Sequence, residues 1–179
     1  MTDLGPTALA WPPAPIKTAR LVIRESEARD RAAFIDLYAS PEVNTYVGGP
    51  QPRAELERAV PEIPGRRPGF FVVDLDGAMI GMVALERRNA GPPERVRPAA
   101  GEVDLGYLFL PEAWGQGYAA EACAAALDWF AEASPGEQVV LCTQTANHSS
   151  MRLAAKLGFA EVERYEAYGA EQWFGVRTS

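Results

Sequence analysis

The residues whose types and spacing most directly suggest chemistry are Trp114-Gly115-Gln116-Gly117-Tyr118-Ala119. Two glycines, with an alanine two positions after the second, leave a backbone almost bare of side chains. From Tyr118 onward, Ala119, Ala122, Cys123, Ala126, Leu127 and Phe130 recur at spacings of three and four, which predicts a helix. A helix starting there turns unpaired N–H groups and the positive end of its dipole outward, which suits a phosphate. Upstream, 102–110 is rich in aromatic and branched residues and reads as a buried strand. The expected unit is a strand, an anion-binding turn and a helix, although a plain connection using glycines for tight packing has the same spelling. A dinucleotide fingerprint needs a third glycine and usually opens its domain, whereas this turn is late in the chain. No Gly-Lys-Ser/Thr follows, so a Walker-type loop is excluded. The class that remains is a phosphate-bearing ligand held by backbone amides.

A second polar group, Asn147 to Ser150, stands at the start of another helical segment, where Asn147 suits an N-cap. His148 is the only histidine, and at a helix start it needs no function, so no catalytic role is expected for it. Cys123 and Cys142 fall on a predicted helix face and a predicted strand. Both read as small core residues in a reducing compartment, which predicts a cytoplasmic protein and no metal site. The net charge of −7 argues against a general nucleic-acid binder and tolerates a cationic partner. With 47% apolar and 23% charged residues, the 179-residue chain has the composition of a globular domain. No apolar run approaches the ~20 residues that span a membrane, and no charged n-region leads into an apolar segment, so neither membrane insertion nor a secretory signal is expected.

The elements that must position these residues follow from punctuation and periodicity. Residues 1–15 hold four prolines and read as a flexible arm, with one domain over 16–179. A strand is predicted over 17–24, then a helix over 28–39 with Ser26 as its N-cap, ended by Pro41. A short helix over 54–60 stops at Pro61 and Pro64. Strands over 70–74 and 79–86 flank Asp76-Gly77, a tight-turn pair. Loop 87–100 has three prolines and exceeds the usual ~4–6 residues. After the central strand and helix come a strand over 138–143, a helix over 147–157 ended by Gly158, and strands over 159–165 and 173–178 around Tyr168-Gly169-Ala170. Trp173 and Phe174 read as core. Mostly consecutive strands with helices between some of them predict an α/β (α+β) fold with a mixed sheet, not a plain doubly wound one.

The run LGYLFLPEAWGQGYAAEA resembles motif A of the GNAT superfamily of N-acetyltransferases. TQTANHSSMRLAAKLGF resembles motif B, with the Asn-x-x-Ser and the Lys-x-Gly-Phe ending of its RimJ/RimL branch. KTARLVIRESEARD resembles the opening of that branch and DLDGAMIGMVAL its central hairpin, so the resemblance covers almost the whole chain from about Lys17. One departure is Trp114, where the wider superfamily has Gln or Arg; the bond made by that side chain is not carried over.

The resemblance implies a mostly antiparallel, twisted sheet of about seven strands flanked by helices, with splayed central strands. It implies acetyl-CoA as cosubstrate and no metal. The pyrophosphate would lie on the amides of Gly115, Gln116, Gly117, Tyr118, Ala119 and Ala120. The pantetheine arm would pair like an added strand with Leu108, Phe109 and Leu110, ending at Pro111. Asn147 would touch the CoA arm, and Ser150 would lie near the sulfur, where a hydroxyl can bond the leaving thiolate or return a proton to it. Many superfamily members use a tyrosine for this, and Tyr165 and Tyr168 stay open as alternatives.

The acceptor would be a primary amine. At pH 7 a lysine-like amine (pKa ~10.4) is mostly protonated and an α-amine (~7.7–8.0) partly so, which calls for a carboxylate base. Asp104 is the first candidate, because the branch often has Glu just before Leu/Ile-Gly-Tyr. Glu102 shares its strand face by period-two counting, and Glu86 is the third; a solvated or salt-bridged carboxylate is the plain alternative for each. The amide of Phe109 or Leu110 would hold the oxyanion. Arg87, Arg88, Arg95 and Arg97 read as a solvated loop, with a CoA phosphate or an anionic acceptor as the functional alternative, and 47–52 would wall the acceptor side. Direct attack in a ternary complex is expected, since neither cysteine is placed as an activated nucleophile. The branch favours a protein N-terminal α-amine over a small amine such as an amino acid, polyamine or aminoglycoside; a non-catalytic acyl-CoA-binding domain is the rival class. Oligomeric state stays open, a homodimer included.

Overall fold

In the computed structural model, residues 11–87 and 102–178 are described. The described strands are β1 (Ile16–Lys17), β2 (Val22–Arg24), β3 (Phe70–Leu75), β4 (Ala78–Arg87), β5 (Val103–Phe109), β6 (Val139–Gln144), β7 (Ala160–Ala167) and β8 (Ala170–Arg177). The helices are α1 (Arg31–Ala39), α2 (Arg53–Ala59), α3 (Tyr118–Ala133) and α4 (His148–Lys156). The eight strands form one sheet in the order β1-β2-β3-β4-β5-β6-β8-β7. Of the described pairs only β5–β6 is parallel, and the rest are antiparallel.

Two local expectations are corrected. The single strand over 17–24 is broken into β1 and β2, because Thr18 makes a turn: its N–H donates to Leu21 O at 2.9 Å and its Oγ1 accepts from Leu21 N–H at 3.0 Å. This gives eight strands in place of about seven. Ser26 does not cap the helix, since its hydroxyl is buried without a partner. A 3-10 turn, Ala28–Asp30, intervenes, and Asp30 Oδ2 accepts from Glu27 N–H at 2.8 Å. Asp30 is itself gripped by both Nη atoms of buried Arg24, at 2.8 and 2.9 Å, while Arg24 Nε donates to Asp74 at 2.8 Å. The paired charges tie β2, β3 and the start of α1 together, satisfying groups whose burial alone would be costly.

The sheet is covered on both faces. The helical stripe read in α3 is buried as expected, with Ala122, Cys123, Ala126, Leu127 and Phe130 inside. It packs in one cluster with Phe71, Val83, Leu85, Val103, Leu105 and Phe109. Phe70, Val72, Met82 and Ala84 share a second cluster with Leu37 of α1. Two-sided cover explains why β3 reads as a continuous apolar run instead of an alternating one. Of the proline-rich segment, Trp11 packs edge-on against Phe71 and Trp129, with centroids 5.0 and 5.9 Å away.

The positioning feature for the site is a divergence in the sheet's centre. β4 and β5 pair from 103 to 109, yet β5 and β6 meet only at Val103↔Val139 and Asp104↔Val140. Beyond Asp104 the strands separate, and β6 continues beside β8. A wedge therefore opens between β5 and β6, with backbone hydrogen-bonding groups of β5 along one side.

Candidate active site

Register decides which β5 residues face that wedge. Leu110 N–H donates to Ile80 O at 2.9 Å. Antiparallel pairs alternate, so Leu108 also faces β4, while Tyr107 and Phe109 direct their backbone groups into the wedge. Leu110 O accepts from Ala113 N–H at 2.9 Å, which leaves neither of its backbone groups open. Of the three residues expected to pair with a pantetheine arm, Phe109 alone faces the opening, and Tyr107 joins it. Period-two counting in the sequence cannot say which set points to which neighbour.

The wedge leads to the glycine turn. The 3-10 turn Pro111–Ala113 delivers the chain there, and Trp114 folds back so that its Nε1 donates to Phe109 O at 2.8 Å. Gly115 and Gly117 have φ of 75° and 82°, the left-handed region that glycine enters without steric cost. Gly117 is the N-cap of α3 without a side-chain cap bond, and the first helical bond runs from Glu121 N–H to Gly117 O at 3.1 Å. The N–H groups of Tyr118, Ala119 and Ala120 therefore lie outside the helix's own ladder. Gly115, Gln116 and Gly117 are exposed, and space around Gly115 is open enough that a Cβ would meet nothing within 4 Å.

Sequence reasoning missed Arg20. From the β1–β2 turn its Nη1 donates to Gln116 O at 2.8 Å, its Nε pairs with Glu121 Oε1 at 2.8 Å, and its guanidinium lies 4.4 Å from the Tyr118 ring centroid. Nη2 is the arm nearest Gly117, where a Cβ would stand 3.3 Å away. Glu121 also accepts from Thr18 Oγ1 and from Arg20 N–H. Burial opposes its ionisation, but the bonds from Thr18 and Arg20 and the Arg20 charge outweigh this and lower its pKa. A cation thus stands at the rim of the turn. Its partners lie about a hundred residues away in the chain, beyond any local signal.

On the other side of the wedge, Asn147 caps α4, its Oδ1 accepting from Ser150 N–H at 3.3 Å. Ser150 is buried, and Tyr107 O–H donates to its Oγ at 2.7 Å, bridging β5 and α4. Burial, against the opposing Ser150 bond and with a smaller push from Cys123, drives the Tyr107 phenol up to about 12. Tyr165 donates instead to Cys142 Sγ at 3.7 Å, and Tyr168 is 84% exposed on the β7–β8 turn. His148 is exposed.

The carboxylates lie on the sheet face away from α3. Asp104 stands directly opposite Glu86 in the β4–β5 register. With Ala84, Arg87 and Gly106 they line a cleft of about 290 Å³. Glu86 Oε1 accepts from Arg67 Nε at 2.8 Å and from Arg67 Nη2. Glu102 lies one residue before β5. Arg87 pairs with Glu137, whereas Arg88, Arg95 and Arg97 fall outside the described residues. Gln144 Nε2 donates to Tyr46 O at 3.2 Å, so the α1–α2 connection that includes 47–52 reaches β6. Among the described residues no group of three or more His, Cys, Asp or Glu is gathered as a metal site.

The chain that forms this wedge and glycine turn matches the acetyltransferase (GNAT) domain model over residues 20–160. The chain belongs to this family. It is a GNAT acetyltransferase. The YkkB protein of Bacillus subtilis is 28% identical over 149 residues, which span 79% of this chain and 82% of that protein. The GNAT-family acetyltransferase of Bacillus anthracis superposes with a TM-score of 0.74 at 20% identity, covering 92% of this chain and 98% of that one. Two relatives of the fold hold coenzyme A. One is RimL, a ribosomal L7/L12 alpha-N-protein acetyltransferase (TM-score 0.66, 12% identity, 92% and 98% covered). The other is the aminoglycoside acetyltransferase AAC(6')-Ib (TM-score 0.66, 16% identity, 88% and 94% covered). No helix among the described residues is long and apolar enough to cross a membrane.

Proposed function

We propose that this GNAT acetyltransferase moves an acetyl group from acetyl-CoA to a primary amine by direct attack in a ternary complex. The acceptor in this reading is a protein N-terminal α-amine. The observation that carries it is the continuity of the wedge with the glycine turn. The edge of β5 at Tyr107 and Phe109 offers strand-like pairing to the amides of a pantetheine arm, and a few residues on, the amides from Gly115 to Ala120 face a pyrophosphate. Glycine at 115 and 117 keeps side chains out of that approach, and Arg20 adds a cation at its rim.

The wedge opens beside the face that carries Asp104 and Glu86. Asp104, or Glu102 through water, takes the proton from the attacking amine, and the Phe109 amide steadies the charge that develops on the carbonyl oxygen. Asn147 orients the start of α4, and Ser150 Oγ faces the leaving sulfur. Cys123 is buried and neither cysteine forms a disulfide, which suits a reducing cytoplasmic setting and a route without a covalent enzyme intermediate. The likeness of motif B to the RimJ/RimL branch favours the α-amine. The equal TM-score of the aminoglycoside enzyme supports a small amine as the second reading.

A thiol-release assay with acetyl-CoA across N-terminal peptides, polyamines and aminoglycosides is the direct test. Acetyl-CoA at a hundred times its Kd is expected to stabilise the fold by about 2.7 kcal/mol, a rise of roughly 5–11 °C in Tm for a chain of this size. An unmoved Tm would remove acetyl-CoA from the reading. Binding without thiol release from any acceptor would favour the non-catalytic acyl-CoA-binding domain.

A further inference from the structure

A hydroxyl has one proton and two lone pairs, so what it can donate to depends on what fills its acceptor side. Ser150 Oγ accepts the Tyr107 proton at 2.7 Å, and its backbone N–H is held by Asn147. The carbonyls one turn back are taken: Ala146 O accepts from His148 N–H and Asn147 O from Met151 N–H, both at 3.0 Å. Apart from its contact with Tyr107 Oη, Ser150 Oγ makes no other protein hydrogen bond among the described residues. Tyr107 comes from the β5 edge that bounds the wedge, and Ser150 from the first turn of the helix on its other side.

We infer that Tyr107 is a positioning residue for the leaving group: its O–H, bonded to Ser150 Oγ, turns the serine proton toward the wedge, where it stabilises the thiolate of CoA. The inference rests on the acetyl-transfer reading and deepens it. As the amine nitrogen bonds to the carbonyl carbon and the C–S bond breaks, the electron pair goes to sulfur. The amine proton goes to the carboxylate side, and the thiolate is protonated from water once it has left. Ser150 keeps its proton throughout, because a serine hydroxyl is a far weaker acid than a thiol near ~8.5. Donation from Tyr107 polarises that O–H, strengthening its bond to an anion by about 10–30%. The phenol stays protonated across the working range, and burial likewise pushes the neighbouring Cys123 thiol up, so neither group titrates alongside CoA.

The test uses the full chain and titrates CoA and desulfo-CoA against wild type, Tyr107→Phe, Ser150→Ala and the double variant between pH 6.5 and 9.5. A bound thiolate favoured by the hydroxyl lowers the thiol's bound pKa, so wild-type affinity for CoA rises with pH while that for desulfo-CoA stays flat. The rise should vanish in Ser150→Ala and shrink at least by half in Tyr107→Phe. In turnover, Ser150→Ala should lower kcat by about 10- to 100-fold, the worth of one hydrogen bond to a charge. Tyr107→Phe should cost roughly 3- to 10-fold in wild type and nothing further once Ser150 is alanine.

A full pH-dependent rise in Tyr107→Phe, or an equal kcat loss in both backgrounds, would overturn the positioning role while leaving acetyl transfer intact. A wild type that binds no CoA and releases no thiol would take down both. Should Tyr107→Phe not fold, 3-fluorotyrosine at position 107 keeps the ring and sharpens the donor. The pH-dependent gain should then grow, and an unchanged gain would refute the role.

Discussion

Gly117 offers a test in which backbone strain and ligand loss can be separated. Its φ of 82° sits where an L-residue is strained, by about 1–2 kcal/mol, and its added Cβ would meet Arg20 Nη2 at 3.3 Å. Gly136 has φ of 80°, and a Cβ there would meet nothing within 4 Å. The two positions share a backbone penalty but only one lies at the glycine turn. Gly117→Ala and Gly136→Ala should each lower Tm by roughly 2–8 °C, from that penalty at ~2–4 °C per kcal/mol. In the turn, the new methyl also obstructs close approach of an anion to the amides. Losing one N–H bond to a charged oxygen costs about 1.5–3 kcal/mol, so CoA affinity should fall roughly 10- to 100-fold in Gly117→Ala alone. Isothermal titration with CoA and a thermal melt of each variant supply both numbers. If Gly117→Ala binds CoA as tightly as Gly136→Ala does, the turn does not hold the pyrophosphate and the placement of the donor is wrong.

Arg20→Met should weaken CoA about 5- to 15-fold, a charge-assisted bond discounted for exposure, and leave pantetheine, which lacks the pyrophosphate, unaffected; equal losses for both ligands would exclude a phosphate role. Asp104→Asn should depress kcat for a lysine-like amine far more than for an α-amine, with CoA affinity unchanged, and equal turnover would take Asp104 out of the proton path. Glu121 has its pKa lowered in the folded state, so its contribution is present above the unfolded carboxylate value near ~4.3 and is lost as pH falls through the folded one. Glu121→Gln should therefore cost about 0.5–1 kcal/mol at pH 7 and progressively less as pH falls through the folded value. A melt difference that persists in acid would mean that the latch between the β1–β2 turn and α3 is not ionic.

What the sequence determined by itself is local. The Asp76-Gly77 turn, the buried stripe of α3, the Asn147 cap and the left-handed Gly115 and Gly117 are written within a few residues of one another, because φ preference, capping and helical period act over one or two turns of chain. Even there, Ser26 spelled a cap that its buried hydroxyl does not make, and the helix start is held instead by Asp30, bonded to Glu27 N–H and to a buried arginine from the neighbouring strand. Only the tertiary structure decided which β5 residues face the wedge, because that depends on register with β4 and on where β6 departs. It also decided that Arg20 stands at the glycine turn, that Arg67 occupies Glu86, and that Tyr107 meets Ser150 across the opening. Each of these joins residues at least 19 positions apart. Side-chain partners at that range are set by how the sheet and helices pack, and no spacing rule in a single sequence records them.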